Sequence, residues 1–340
     1  MGCSKNLVDS EHLMRQLQEC GYEVTHDSEE PCGEIAVINT CGFIGDAKQE
    51  SIDTILRAAQ LKEQGKIEEL FVVGCLSQRY ADELRPELPE VNDFFGVNDW
   101  AGIVERLGAK YQKENETKRE LSTPSHYAYL KISEGCNWMC GYCAIPLIRG
   151  RHKSVPMEAL IAEAEALVAK GVREIMVIAQ DTTYYGVDIY GERKLGEFLE
   201  RLCAIEKLEW IRLHYAYPTD FPQEVIDVMR DEPKMCKYLD IPLQHISDNQ
   251  LAAMRRRITK AETEALALYL STYGRSNNES NPAVWQSGNI AASLTGFNFV
   301  SDGWQLDNQG ATVLRVGGNA RVEIPYKIFK DDARETGKTI

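Results

Sequence analysis

Residues 134–146 read EGCNWMCGYCAIP and place Cys136, Cys140 and Cys143 in the spacing C-x-x-x-C-x-x-C. Cysteine thiolates are metal ligands, and three of them hold a metal centre while leaving one coordination position for something else. Structural zinc prefers four closed ligands, usually in C-x-x-C pairs. The three-residue gap and the lack of a fourth cysteine nearby suit that poorly. Iron–sulfur clusters are held by cysteine thiolates, and a four-iron cluster on three of them leaves one iron able to bind a small molecule. The spacing therefore favours iron–sulfur, with zinc or no metal as the alternatives.

The chain has ten cysteines, all between Cys3 and Cys236. The start, MGCSKNLVDSEH, has no basic n-region followed by an apolar run, so no signal peptide is read there. Asn6 stands where a myristoylation signal wants Ser or Thr. No apolar run reaches the roughly 20 residues of a membrane helix. These features predict a cytoplasmic protein, where cysteines are metal ligands more often than disulfides. The formal net charge of −14 argues against a large nucleic-acid surface and suits a basic protein partner. The alternative is an ordinary acidic enzyme.

Three regions follow from the patterning. Residues 1–112 alternate strand-like runs (EIAVINTCG, ELFVVGC) with helical ones (AKQESIDTILRAAQLKEQG, SQRYADELRPELPEV), which predicts a parallel sheet. Residues 113–124 are polar and aperiodic and read as a linker or exposed crossing segment. From residue 125 to about 270 the alternation resumes. Strands at YAYLKIS, EIMVIAQD, WIRLHYAYP and YLDIPLQH are each followed by a helical run, the last over residues 249–270. Four strand–helix units predict part of a parallel β/α barrel, whose chemistry sits at the C-terminal ends of its strands. The cysteine loop occupies that place after the first strand. Residues 271–340 change character to short β runs separated by Gly and Asn, ATVLRV and ARVEIPYKIF among them. They carry seven basic and seven acidic residues, so the excess negative charge lies upstream.

Taken singly, Cys3, Cys41 and Cys75 would each read as a small buried hydrophobe. Their placement says more: Cys41 and Cys75 each sit where an apolar strand gives way to a helix. Strand ends of an open parallel sheet line a ligand crevice, and Cys3 can join them from the first loop. Cys20, Cys32, Cys203 and Cys236 lack such placement and read as structural. Gln180 and Asp181, His214, and Gln244 with His245 fall near the ends of barrel strands two, three and four. A site role is reasonable there, with packing or hydrogen bonding as the alternative for each. His12 and His26 read as surface residues. Arg149 and Arg151 read as substrate contacts or loop shapers, and Arg255, Arg256 and Arg257 as a solvated helix face, with a binding patch as the alternative.

The cysteine spacing, with aromatic Tyr142 before the last thiol and a β/α strand before the loop, resembles the radical S-adenosylmethionine (SAM) signature. GCSKNLVDSE, NTCGFI, GCLSQRY, EGCNWMCGYCAIPLIRGRHKS, QDTTYYGVDIYG and IRLHYAYP together resemble the methylthiotransferases over about residues 1–268. SKNLVDSE and QDTTYYG are more similar to the branch acting on an aspartate of a small-subunit ribosomal protein than to the tRNA-adenosine branch, which is the runner-up. The resemblance implies a transferase with two 4Fe-4S clusters and SAM. Cys136, Cys140 and Cys143 would hold one cluster, whose open iron is chelated by the amino and carboxylate groups of SAM. Cys3, Cys41 and Cys75 would hold the second, and Tyr142, Gln180 and Gln244 would lie at the SAM site. In the chemistry this resemblance implies, one electron would cleave SAM to a 5′-deoxyadenosyl radical, which would take hydrogen from an unactivated C–H bond. An electron donor such as a flavodoxin or ferredoxin is implied.

The sequence also departs from the family pattern. Only Met1 precedes Gly2, where a strand is usual, and Arg257 stands where a glycine is usual. The pattern stops after MRRRITKAETEAL, before the last two strand–helix units and the oligonucleotide-binding-like docking domain, which leaves RNA contact open. The expected fold is thus α/β: a parallel N-terminal domain, a truncated partial barrel and an unrelated β-rich tail. An inactive iron–sulfur fragment and a binding protein acting through the tail are the other readings.

Overall fold

A computed structural model describes residues 2–27, 33–113, 118–273, 304–306, 312–316 and 320–324. Cys32, the middle of the polar segment and most of the chain beyond Tyr273 lie outside the described residues. Two compact units are formed. The first takes Met1–Asn137, Cys143–Val172 and Ile178–Gln180; the second takes Trp138–Tyr142, Arg173–Val177 and the chain from Asp181 on.

The first unit begins with α1 (Ser4–Glu19), β1 (Gly33–Thr40), α2 (Gly45–Glu63), β2 (Ile67–Gly74), α3 (Cys75–Leu84), β3 (Asp93–Phe94) and α4 (Trp100–Arg106). Its sheet has the order β1-β2-β3 and is parallel throughout. The apolar run in β2 is continuous because both faces of the sheet are covered. Leu70 and Val72 pack with Ile55, Leu76 and Phe94, whereas Val73 packs with Leu13, Leu17, Ile103 and Val104. Each such side chain, fully buried, contributes about 1.5–3 kcal/mol. The helix α4 starts at Asp99, whose Oδ1 accepts from the Gly102 amide at 3.2 Å.

The chain continues through β4 (Tyr127–Lys131), β5 (Ser133–Glu134), α5 (Ile145–Ile148), β6 (Lys153–Ser154) and α6 (Met157–Ala169). The antiparallel β5–β6 pair closes the neck of the cysteine loop, setting Ser133 opposite Ser154 and Glu134 opposite Lys153. Just past β4, the Ile132 amide donates to the carbonyl of Ile178 at 3.0 Å. The polar segment expected to be exposed is pinned by Arg119, which is 2% exposed and lies between Glu11 and Glu163. His12, read as a surface residue, is buried too, stacked on Trp100 at 5.2 Å. Burial, with Arg119 and Lys131 nearby, pushes its pKa well down.

The second unit contains β7 (Glu174–Ile178) up to Val177, then α7 (Val187–Tyr190), α8 (Leu195–Cys203), β8 (Trp210–Leu213), α9 (Gln223–Asp231), β9 (Met235–Leu239), α10 (Asp248–Ala253) and α11 (Lys260–Tyr273). The strands β7, β8 and β9 are parallel neighbours. The helices α8 and α9 bury Phe198, Leu199, Val225 and Met229. The helical run expected over residues 249–270 is broken between α10 and α11. Thr259 starts the second helix with a reciprocal cap: its Oγ1 accepts from the Glu262 amide at 3.2 Å, and Glu262 Oε2 accepts from the Thr259 amide at 2.8 Å.

The remaining strands are β10 (Trp304–Leu306), β11 (Thr312–Val316) and β12 (Ala320–Ile324). They form their own antiparallel sheet in the order β10-β11-β12. Within the alternating runs read there, Thr312–Val316 and Ala320–Ile324 are thus strands, and among the described residues they pair only within this sheet.

Candidate functional site

Two adjacent strand ends position Cys41 and Cys75. The β1–β2 register sets Thr40 opposite Gly74, so each following residue is a cysteine leaving the same edge of the sheet. Close approach of these turns needs glycine. A Cβ on Gly74, at φ +100°, would lie 2.3 Å from Asn39 Oδ1 and 2.6 Å from the Thr40 carbonyl. One on Gly42 would lie 2.8 Å from the backbone of Cys75 and Leu76. Ser51 of α2 holds Cys41 in place, accepting from its amide at 3.0 Å and donating to its carbonyl at 3.1 Å.

Cys3 comes to this edge at the N-terminus of α1. Asn6 ties that helix down, its Nδ2 donating to the Thr40 carbonyl at 2.8 Å, while Asn39 Nδ2 donates to the Asn6 carbonyl at 2.9 Å. Cys3 and Cys75 thereby both sit at helix N-termini. Burial pushes the Cys75 thiol up; Arg149 pulls it down, and the nearby thiols of Cys3 and Cys41 push it up. The sulfur lies 3.6 Å from Asn6 Oδ1.

Cys136, Cys140 and Cys143 lie on the loop between β5 and α5. In the first unit, the Cys136 amide donates to the Gly150 carbonyl at 3.1 Å, and Asn137 Oδ1 accepts from the His152 amide at 3.1 Å. Gln180 Nε2 donates to Glu134 Oε1 at 2.9 Å, and its own Oε1 is buried with no hydrogen-bond partner.

The second unit holds the middle of the loop. Trp138 stacks on Tyr217 at 4.2 Å with 5° between the planes, and its Nε1 donates to Asp181 at 2.5 Å. The Arg256 guanidinium lies over the other ring of this stack, 4.1 Å from the Tyr217 centroid. It also donates to the Pro242 carbonyl, to Tyr142 Oη at 3.4 Å and to Cys140 Sγ at 3.7 Å. Its Nε is buried without a partner. Arg256, expected on a solvated helix face, is instead buried, in the break between α10 and α11. Burial holds the Tyr217 hydroxyl pKa well above its ordinary value, so it remains a phenol.

The other candidate residues divide. Asp181 is fully engaged, accepting also from the Thr183 amide at 2.9 Å and hydroxyl at 2.7 Å, so its role is to hold the loop. His214 sits between Tyr215 and Tyr238. His245 Nδ1 accepts from the Ser247 amide at 2.9 Å. Gln244 is exposed at φ 71°, and Met139, Tyr215 and Arg255 share that left-handed conformation. Strained backbone of this kind gathers at functional loops. Tyr142 is 48% exposed. Cys203 is buried, which pushes its thiol up to about 11, and Cys236 is raised for the same reason.

Among the described residues no cysteine is in a disulfide, and no three His, Cys, Asp or Glu side chains meet at the spacing of a single metal ion. A four-iron cluster makes a different demand, because it takes its thiolates at three separate corners. The all-thiol donor sets and the partnerless Gln180 oxygen fit such clusters and a bound polar cosubstrate. Among the described residues, no helix is long and apolar enough to cross a membrane.

Residues 1–96 match the uncharacterized protein family UPF0004, and residues 130–284 match the Radical SAM superfamily. A protein of Bacteroides fragilis named ribosomal protein uS12 methylthiotransferase RimO is 60% identical over 266 residues, 78% of this chain and 62% of the relative. Proteins of the same name from Porphyromonas gingivalis and Cytophaga hutchinsonii are 56% and 52% identical over the same length, each with 61% of the relative covered. The chain thus spans less than two thirds of these relatives. Among solved structures, the radical SAM methyltransferase TsrM of Kitasatospora setae superposes with a TM-score of 0.56 at 13% identity, covering 80% of this chain and 63% of that one. The cobalamin-dependent radical SAM enzyme OxsB gives 0.51 at 11% identity, covering 71% and 40%. Two family models thus match successive parts of this chain, and over 266 residues it is similar to proteins named as methylthiotransferases.

Proposed function

We propose that this protein is a radical SAM methylthiotransferase that adds a methylthio group to the β-carbon of an aspartate in ribosomal protein uS12. The reading is carried by one observation: a thiol trio at the β1–β2 edge accompanies the C-x-x-x-C-x-x-C loop in a chain 60% identical to proteins named for that reaction. Cys136, Cys140 and Cys143 hold one 4Fe-4S cluster, and Cys3, Cys41 and Cys75 hold the other. Bound there, the clusters and SAM supply one-electron chemistry at an unactivated C–H bond and a site for sulfur.

The chain's own residues bind and position. The Trp138–Tyr217–Arg256 stack fixes the loop at Cys140, and Asp181 locks the indole. Gln180, braced by Glu134, has a buried amide oxygen without a partner, which would accept from the ammonium or ribose of SAM. Tyr142 and Gln244, both exposed, are the other residues we assign to SAM binding. A reduced flavodoxin or ferredoxin is the electron donor. The acidic charge of −14 suits a basic ribosomal protein.

The test is incubation of the reconstituted full chain with SAM, reductant and uS12 under anaerobic conditions, read by peptide mass spectrometry. An aspartate heavier by one methylthio group supports the reading. Modification of tRNA adenosine with none on the protein favours the other branch, and no product on either marks an inactive chain.

A further inference from the structure

Arg149 follows the cysteine loop, yet its side chain leaves the loop and is only 2% exposed. Its Nη1 donates to Asp9 Oδ2 at 3.0 Å and to Glu134 Oε2 at 2.9 Å. Its Nη2 donates to Asn6 Oδ1, the oxygen that lies 3.6 Å from Cys75 Sγ. Lys131 completes the group, reaching both Asp9 and Glu134. Two cations and two anions are therefore buried together in the first unit, and the guanidinium is the one that faces the thiol trio through Asn6. Beside it, the Gly150 carbonyl holds the Cys136 amide.

Bracing a loop does not require this arrangement. Burying charges costs desolvation, and well-packed apolar side chains of similar volume often do as well or better. A planar fork reaching Asp9, Glu134 and Asn6 together is also something lysine cannot reproduce. What the charge adds is a fixed electrostatic field at the neighbouring thiols, and the potential of an iron–sulfur cluster depends on local charge, hydrogen bonding and exposure.

We propose that Arg149 is a positioning residue of the Cys3–Cys41–Cys75 site, which anchors the cysteine loop beside that site and sets its cluster's reduction potential. The inference rests on the reading that this trio holds a 4Fe-4S cluster. Reduction adds one electron to the cluster, supplied in the experiment by dithionite, and a buried cation stabilises the added negative charge. Because the four buried charges cancel, removing one leaves a net charge of known sign. Loss of Arg149 therefore makes reduction harder, and loss of Asp9 makes it easier.

The experiment uses the full chain with Cys136, Cys140 and Cys143 changed to Ala, so that one cluster site remains. Iron is counted, and the midpoint potential is read by EPR on samples poised anaerobically. With about four irons bound, Arg149→Gln shifts the potential to more negative values and Asp9→Asn shifts it to more positive ones, while Arg149→Lys falls between Arg149→Gln and the parent. A purely structural role changes iron occupancy without producing opposite shifts. Unmoved potentials in loaded variants, or shifts of the same sign, overturn the inference alone. If Arg149→Gln takes up no iron, Asp9→Asn decides, and an unchanged or more negative potential overturns it. A parent that takes up no iron overturns both the cluster reading and this inference.

Discussion

Cysteines of one chemical type divide here by environment. Cys3 is exposed and Cys41 half-buried at a strand edge, whereas Cys203 is buried with its thiol pushed up to about 11. Thiolates, not thiols, are alkylated. In the iron-free protein at pH 7.5, iodoacetamide should label Cys3 and Cys41 and leave Cys203 unmodified. Reconstitution with iron should protect the first two, as peptide mapping would reveal; equal labelling of all three would contradict the division. Arg256 carries a second prediction. Arg256→Met keeps much of the volume but removes the cation from Tyr217 and the bond to Pro242, and should cost about 2–3 kcal/mol in urea unfolding. The position of Cys41 and Cys75 at strand ends could be read from the sequence because it is local. The burial of Arg256 could not. Three consecutive arginines look like a solvated surface until the fold places Tyr217, Pro242 and Cys140 around the middle one.

Strand register carries the second level of the account. Pairing Thr40 with Gly74 makes neighbours of Cys41 and Cys75, which lie far apart in sequence. Gly74→Ala would put a methyl group against Asn39 and the Thr40 carbonyl, at a φ that L-residues rarely adopt. The strain is on the order of 1–3 kcal/mol. Its expected effect is loss of iron from the trio at this edge, from about eight per chain to about four, with the loop site still loaded. An iron and sulfide assay checks this, and full loading in the variant would show that the turn tolerates a side chain. The apolar runs of β1 and β2 and the amphipathic α6 announced themselves through periodicity. The short β3 and α4 did not, being too brief to show any. The break between α10 and α11 had a signal that the apolar spacing masked: Thr259-x-x-Glu262 is a capping box.

At the scale of the whole molecule, two patterns meet after α11. Upstream, strands alternate with helices along a sequence that carries all ten cysteines; downstream, β10, β11 and β12 pair antiparallel among themselves. Composition alone marked that change. The tail offers no thiol, so a chain ending at Tyr273 should bind as much iron as the full one; a large loss of iron on truncation would give the tail a role in the clusters. The central claim is that the two thiol trios each hold a four-iron cluster, and iron stoichiometry tests it most directly. After anaerobic reconstitution the full chain should carry about eight irons and eight sulfides, and replacing either trio with Ala should leave about four. Full iron in the variant lacking Cys136, Cys140 and Cys143, or tightly bound zinc in place of iron, would contradict it.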